Sequence, residues 1–193
     1  MRVNAALFQS DYEDVQVTFF DSLGGPITAN AGTVDIKGFE LEVNALITDN
    51  LLVDIGYGYT DAQYDEIADI PGLSLTIDED AKLVNTPENT FSAGIEYTMF
   101  LAENELALRV DYSYTDDIYN DSQNSPFLFQ EAVDKINASV RYSIGENIDL
   151  IAFVENLTDE RYIESGDSNF GLGFHEANYN RPREYGATVR YRF

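Results

Sequence analysis

The chain has 193 residues, with 11 Lys and Arg against 35 Asp and Glu, for a formal net charge of −24. Such a polyanion repels phosphate, which argues against nucleic acid as a partner. Zero cysteines and a single histidine exclude disulfides, zinc-thiolate centres, thiol catalysis and multi-histidine metal sites.

In chain order, Met1-Arg2-Val3 runs into Asn4-Ala5-Ala6-Leu7-Phe8, and Gln9, Ser10 and Asp11 end the apolar stretch too early for a secretory signal. A first strand, roughly 3–17, alternates poorly. A second, 33–47, places Phe39, Leu41, Val43, Ala45 and Ile47 on one face. Period-two alternation is cleaner in 51–59, 91–99, 105–114 and 135–144, and the last nine residues set Tyr185, Ala187, Val189, Tyr191 and Phe193 against Gly186, Thr188, Arg190 and Arg192. The segment 147–155 is again less clean. It holds the longest apolar run, Leu150 to Val154, so no helix spans a membrane.

About eight strands result. Short connections fall at Thr48-Asp49-Asn50, Ala102-Glu103-Asn104 and Gly145-Glu146-Asn147, and long ones near 18–32, 61–88, 116–133 and 156–181. The expected fold is all-β: an antiparallel transmembrane β-barrel segment of meandering strands, with short periplasmic turns and long extracellular loops. A soluble barrel or sandwich also alternates. Strand lengths of about 9–11 residues favour the membrane, as does an aromatic girdle of Tyr57, Tyr59, Tyr112 and Tyr114 near the long loops. Eight strands could close into a small barrel, filled by side chains. If they stay open, the edge strands present unpaired backbone groups.

In the C-terminal third, ENLTDERYI (155–163) is followed by YNRPREYGATVRYRF (179–193). With GTVDIKGFELEVNALITDNLLVDIGYGYTDAQYDE (32–66) and NTPENTFSAGIEYTM (85–99), these stretches resemble TonB-dependent outer-membrane receptors over essentially the whole chain. The residues carrying the C-terminal motif are Glu155, Asn156, Leu157, Thr158, Asp159, Tyr162, Arg181, Pro182 and Arg183. The resemblance implies a barrel of about 22 strands plugged by an N-terminal domain, in the outer membrane of a Gram-negative bacterium. It also implies uptake of a scarce ligand (ferric siderophore, haem, vitamin or oligosaccharide) energised by the TonB complex. On this reading residues 1–193 are the C-terminal part of such a barrel, without signal peptide, plug or TonB box, and not competent alone. The alternative is a complete small eight-stranded barrel with a structural or adhesive role. The implied partners are outer-membrane lipid, the barrel-assembly machinery, and the remainder of the receptor with TonB behind it. Tyr185, Ala187, Val189, Tyr191 and Phe193 would form the assembly signal.

No enzyme signature is present: Gly171-Leu172-Gly173 lacks a dinucleotide setting, and no nucleophile motif occurs. No cofactor and no metal ligand set is expected. The region 61–88 holds eight carboxylates, Asp61, Asp65, Glu66, Asp69, Asp78, Glu79, Asp80 and Glu88, against Lys82 alone. It reads as a solvated loop rather than a calcium site. His175 stands alone and is not expected to ligate haem. Arg190 and Arg192 are expected to pair with carboxylates such as Asp149 or Glu155 on the preceding strand. The sequons at Asn137 and Asn156 are read as unglycosylated.

Overall fold

A computed structural model describes residues 1–20, 25–30, 32–67, 77, 80–169 and 172–193. Among them the chain is all-β, with no helix. In order, the strands are β1 (Arg2–Tyr12), β2 (Gln16–Phe20), β3 (Pro26–Asn30), β4 (Gly32–Thr48), β5 (Leu51–Ile67), β6 (Asn89–Leu101), β7 (Asn104–Thr115), β8 (Ile118–Tyr119), β9 (Phe129–Gln130), β10 (Val133–Ile144), β11 (Ile148–Glu155), β12 (Ile163–Asn169), β13 (Phe174–Tyr179) and β14 (Glu184–Tyr191).

Eight strands form one antiparallel sheet in the order β1-β4-β5-β6-β7-β10-β11-β14. The other six make three hairpins, β2–β3, β8–β9 and β12–β13, inside connections expected to be plain loops. β1 and β14 are the two edges, and no pairing between them occurs among the described residues. The sheet is therefore open rather than closed on itself. The turns at 49–50, 102–103 and 145–147 lie at one end, and Ala102 (φ 59°) and Gly145 (φ 54°) supply the left-handed backbone two of them need.

Register converts the alternation into two continuous faces. Ala45, Val53, Ile95, Val110, Ala138, Val154 and Tyr185 lie side by side across seven strands. This apolar face is uncovered: Ile95 and Val110 are about half exposed, and Val189 is 72% exposed. In water, that much contiguous apolar surface would seek a partner.

The opposite face is a lattice of charge. Arg109 grips Asp111 through Nε and Nη2 (3.0 and 2.6 Å) and reaches Asp54 at 3.4 Å. Arg141 lies 3.1 Å from Glu105 and 3.9 Å from Glu96. Arg192 pairs with Asp149 at 2.6 Å, and Ser143 donates to the same carboxylate. Arg109 and Arg141 thus each serve two acids, which limits like-charge repulsion on this face.

The two poorly alternating strands have a physical explanation. Phe8 of β1 and Phe153 of β11 point to the polar face, each opposite a glycine, Gly38 and Gly186. A Cβ on Gly38 would lie 2.6 Å from the Phe8 ring, and one on Gly186 would lie 2.7 Å from the Phe153 ring. The rings cover the glycine backbone, a device that shields a strand lacking side chains.

Tyr57 and Tyr59 are not at the end of their strand, because β5 continues to Ile67. They are level instead with the ends of β6 and β7: Tyr57 lies beside Phe91, which lies beside Tyr114. With Phe39 (5.5 Å from Tyr57 and 5.9 Å from Tyr59) and Tyr112 (6.0 Å from Phe91), they form an aromatic row across four strands.

Beyond that row the polarity of the faces reverses. On the face that carried Phe39 and Leu41 come Asp35 and Lys37, the latter 3.1 Å from Asp61. On the other face Val34 is 2% exposed, and Tyr64 and Ile67 pack with Val17 and Ala29 against Ile77 and Ala81. A register shift between Thr33 and Val34 leaves Asp65 unmatched and turns Ile67 to the same side as Tyr64. So Asp61, Asp65 and Glu66 belong to β5 rather than to a solvated loop, which corrects the expected start of that loop. Asp69, Asp78 and Glu79 lie outside the described residues.

Candidate functional site

The long connections interlock into a cap at the end of the sheet opposite the tight turns. Lys82 and Asn124 bond reciprocally: the Lys82 N–H donates to Asn124 Oδ1 at 2.7 Å, and Asn124 Nδ2 donates to Lys82 O at 2.9 Å. Lys82 Nζ donates to Asp117 at 2.7 Å, and the Asn85 N–H donates to Tyr119 O. The β8–β9 segment then meets β12–β13. The Ile163 N–H donates to Gln130 Oε1, Phe127 stacks on His175 at 4.6 Å, and Leu128, 1% exposed, fills the space beside Gly166. His175 sits on β13, where Ser168 Oγ contacts its Nδ1. Gly171 lies outside the described residues.

Two charges of the cap are tuned. Asn89 Nδ2 donates to Asp116 at 2.9 Å, with further donation from Tyr114 and the Asp117 N–H, and holds the Asp116 carboxyl below its usual 3.8. The bond to Asp117 raises Lys82 above its usual 10.5. Asp116 therefore stabilises the cap fully above pH 3.8 and loses that contribution as pH falls through its lower folded value. Lys82 contributes below 10.5 and is lost as pH rises through its higher folded value. Amide protection factors across 116–132, corrected for the intrinsic pH dependence of exchange, should fall once pH drops below 3.8, and Asp116→Asn should flatten that acid limb. An unchanged acid limb in the variant would remove Asp116 from the account.

The C-terminal motif residues come together in a clasp that joins β10, β11 and β14. At its centre Asn156 is 7% exposed with φ 51°, a left-handed conformation that Asn tolerates better than most residues. Its N–H donates to Asn137 Oδ1 at 2.8 Å. Its Nδ2 donates to Glu160 O at 2.9 Å and Arg181 O at 3.3 Å, while its Oδ1 accepts from the Glu160 N–H at 2.9 Å. The Leu157 N–H donates to Ile136 O. Asp159 (φ 59°) accepts from the Arg183 N–H at 2.8 Å, and Arg183 Nη1 reaches Leu157 O at 3.3 Å. Asn180 completes the knot, accepting from the Tyr162 N–H and donating to Glu160 O. Both sequon asparagines are thus engaged in hydrogen bonds.

Glu155 lies opposite Glu184, and Arg181 is 3.7 Å from Glu184. Pro182 sits two residues before β14, where no ladder N–H is required of it. Thr158 lies in the exposed turn between Leu157 and Asp159. Of the two late arginines, Arg192 takes the expected Asp149 as its partner, while Arg190 stands opposite Asp149 in register. Tyr185, Ala187 and Val189 line the apolar face of β14, with Tyr191 edge-on to Phe193 at 5.0 Å. Sequence reading missed the roles of Asn137 and Asn180. The signal available for Asn180 was its place just before the last strand, whereas Asn137 lies inside β10 and carried none.

An open antiparallel meander, uncovered and apolar on one side, charged on the other, tight-turned at one end and capped at the other, defines a section of β-barrel wall. Comparison with known proteins agrees. The family described as TonB dependent receptor-like, beta-barrel matches residues 1–157. The chain belongs to that family. It is 26% identical over 167 residues to the probable TonB-dependent siderophore receptor PiuA of Acinetobacter baumannii, covering 84% of this chain and 21% of that protein. It is 28% identical over 187 residues to the ferrichrome outer membrane transporter/phage receptor of Escherichia coli, covering 93% and 22%. Among solved structures, the ferric yersiniabactin uptake receptor FyuA of Yersinia pestis superposes with a TM-score of 0.78 at 20% identity, covering 99% of this chain and 27% of that one. The chain thus spans about a fifth of the length of the curated relatives it matches.

Proposed function

We propose that the chain is the C-terminal part of an outer-membrane receptor barrel that imports a scarce ligand with energy from TonB, and that it does not transport alone. A ferric siderophore is the favoured cargo, because PiuA is described as a siderophore receptor and FyuA as an uptake receptor for ferric yersiniabactin. The observation that carries the reading is the uncovered apolar face combined with edges at β1 and β14 that pair with no further strand among the described residues. Lipid meets the face, and further strands of the barrel meet the edges. A plug would meet the charged face. The self-contained eight-stranded barrel is disfavoured, because it needs β1 and β14 to pair.

An immunoblot of fractionated cells, raised against the last twenty residues, tests this. The expected band lies in the outer membrane and is several times heavier than 21.7 kDa. A 21.7 kDa band in that membrane would overturn the multi-part reading. Iron-limited growth after deletion of the gene tests the cargo, and growth equal to wild type on every ferric siderophore supplied would sink that class.

The last strand is proposed as the segment read during membrane assembly. β14 offers a free edge for strand addition, and Phe193 is fully exposed beyond it. Removing Phe193 should lower the amount of folded protein in the outer membrane, measured by heat-modified gel mobility. Equal amounts would reject the signal.

A further inference from the structure

A cleft of about 430 Å³ opens in the cap between β2, the 83–84 and 120–123 segments and β12. Asn120 and Asp121 stand on its wall, 5% and 8% exposed. Half of each side chain is accounted for: Asn120 Nδ2 donates to Leu128 O at 3.1 Å, and Asp121 Oδ1 accepts from the Ser125 N–H at 2.8 Å. The other oxygens, Asn120 Oδ1 and Asp121 Oδ2, are buried and meet no hydrogen-bond donor among the described residues. An acceptor buried without a donor costs about 1–3 kcal/mol, and a charged one more. Neighbouring residues carry two such oxygens here, so the protein bears that cost twice in one place.

The surroundings narrow what answers them. Thr18, Ser122, Asp167 and Ser168 line the same cleft, and no lysine or arginine does among the described residues. Both oxygens are shut off from bulk solvent, so the group that meets them is small. The wall offers carboxylates at Asp121 and Asp167 and the amide oxygens of Gln16 and Gln123, with no histidine, cysteine or methionine among the described residues. Hard cations take such sets.

We propose that a hard divalent cation of the calcium type binds at this wall, held by Asn120 Oδ1 and Asp121 Oδ2. With so few carboxylates the affinity falls in the class of extracellular modules, about 10⁻⁴ to 10⁻³ M. Binding ties β8–β9 to β12 and β2, whose residues share the cleft. Tyr64, Leu83 and Val84 of the 61–88 stretch line the cleft, but among the described residues none of that stretch's carboxylates does, and the site is independent of the cargo.

The test uses the full-length protein, extracted in detergent and stripped with a chelator. Terbium(III) is the probe, because Tyr64 on the same wall can sensitise its emission. Emission should titrate and be displaced by calcium, and Asp121→Asn should weaken binding about tenfold, since one of few charged ligands is lost. That variant keeps the Oδ1 acceptor for Ser125 and the side-chain volume. In the unsubstituted protein, calcium should slow amide exchange across 118–130. A variant that titrates like wild type overturns the site, and so does exchange across 118–130 that ignores calcium, whether or not the variant folds.

Discussion

Asn156→Ala should destabilise the folded barrel by about 2–4 kcal/mol, from lost hydrogen bonds and from backbone strain. The side chain makes three hydrogen bonds within the clasp from a position 7% exposed. Two of its acceptors have a second donor, since Asn180 Nδ2 also reaches Glu160 O and Arg181 O. The Glu160 N–H loses its side-chain acceptor. Alanine must also adopt φ 51°, at about 1–2 kcal/mol. Asn156→Gly separates the contributions: it loses the same bonds but relieves the strain, so it should cost less than alanine. Denaturant melts followed by circular dichroism in detergent would rank the three proteins. A melt of Asn156→Ala that overlays wild type would show that the clasp holds nothing. Because the clasp joins β11 to β14 and reaches β10, the loss should be greatest at the C-terminal edge, where Asn156 Nδ2 donates to Arg181 O just before the last strand.

Gly38→Val should be at least as damaging, with about 3 kcal/mol or more lost from the β1–β4–β5 region, beyond the usual range for overpacking. A Cβ at residue 38 would stand 2.1 Å from the carbonyl oxygen of Tyr59 and 2.6 Å from the Phe8 ring. The ring can swing away, but the carbonyl belongs to the neighbouring strand and moves only with its ladder. Gly94→Ala is the matched control. Its Cβ would meet Arg109 Nη2 at 2.6 Å and Asp111 Oδ1 at 2.9 Å, both ends of side chains that can shift. It should cost the Arg109 ion pairs part of their geometry and little else. Heat-modified mobility of both variants measures the contrast, and equal stability of Gly38→Val and Gly94→Ala would contradict it.

These two sites also mark the boundary between what could be read from the chain and what could not. Period-two alternation is local: successive side chains point to opposite faces whatever the strand pairs with. The eight principal strands, their antiparallel order and their tight turns were therefore legible in residues such as Leu106, Leu108, Val110 and Tyr112. The pairing of a late arginine with Asp149 was legible too, because both lie on the polar face of neighbouring strands, but register sets Arg190 opposite Asp149 and only the structure shows Arg192 reaching it diagonally.

Where alternation failed, a distant residue was the cause. Phe8 and Phe153 look misplaced until Gly38 and Gly186 arrive opposite them from other strands. The loops hid their hairpins for the same reason. Nothing in 116–133 or 156–181 alternates, because those hairpins are held by cross-loop bonds such as Ile163 to Gln130 and Asn124 to Lys82. The motif ENLTDERY could be recognised by resemblance, yet its work as a clasp required Asn137 and Asn180 to be brought to Asn156. By itself the sequence determined which faces the strands present and how they connect, since those depend on neighbours two residues apart. Only the tertiary structure decided that the sheet stays open, that its polarity reverses beyond the aromatic row, and that the long loops lock together. Each of those depends on groups dozens of residues apart meeting in space.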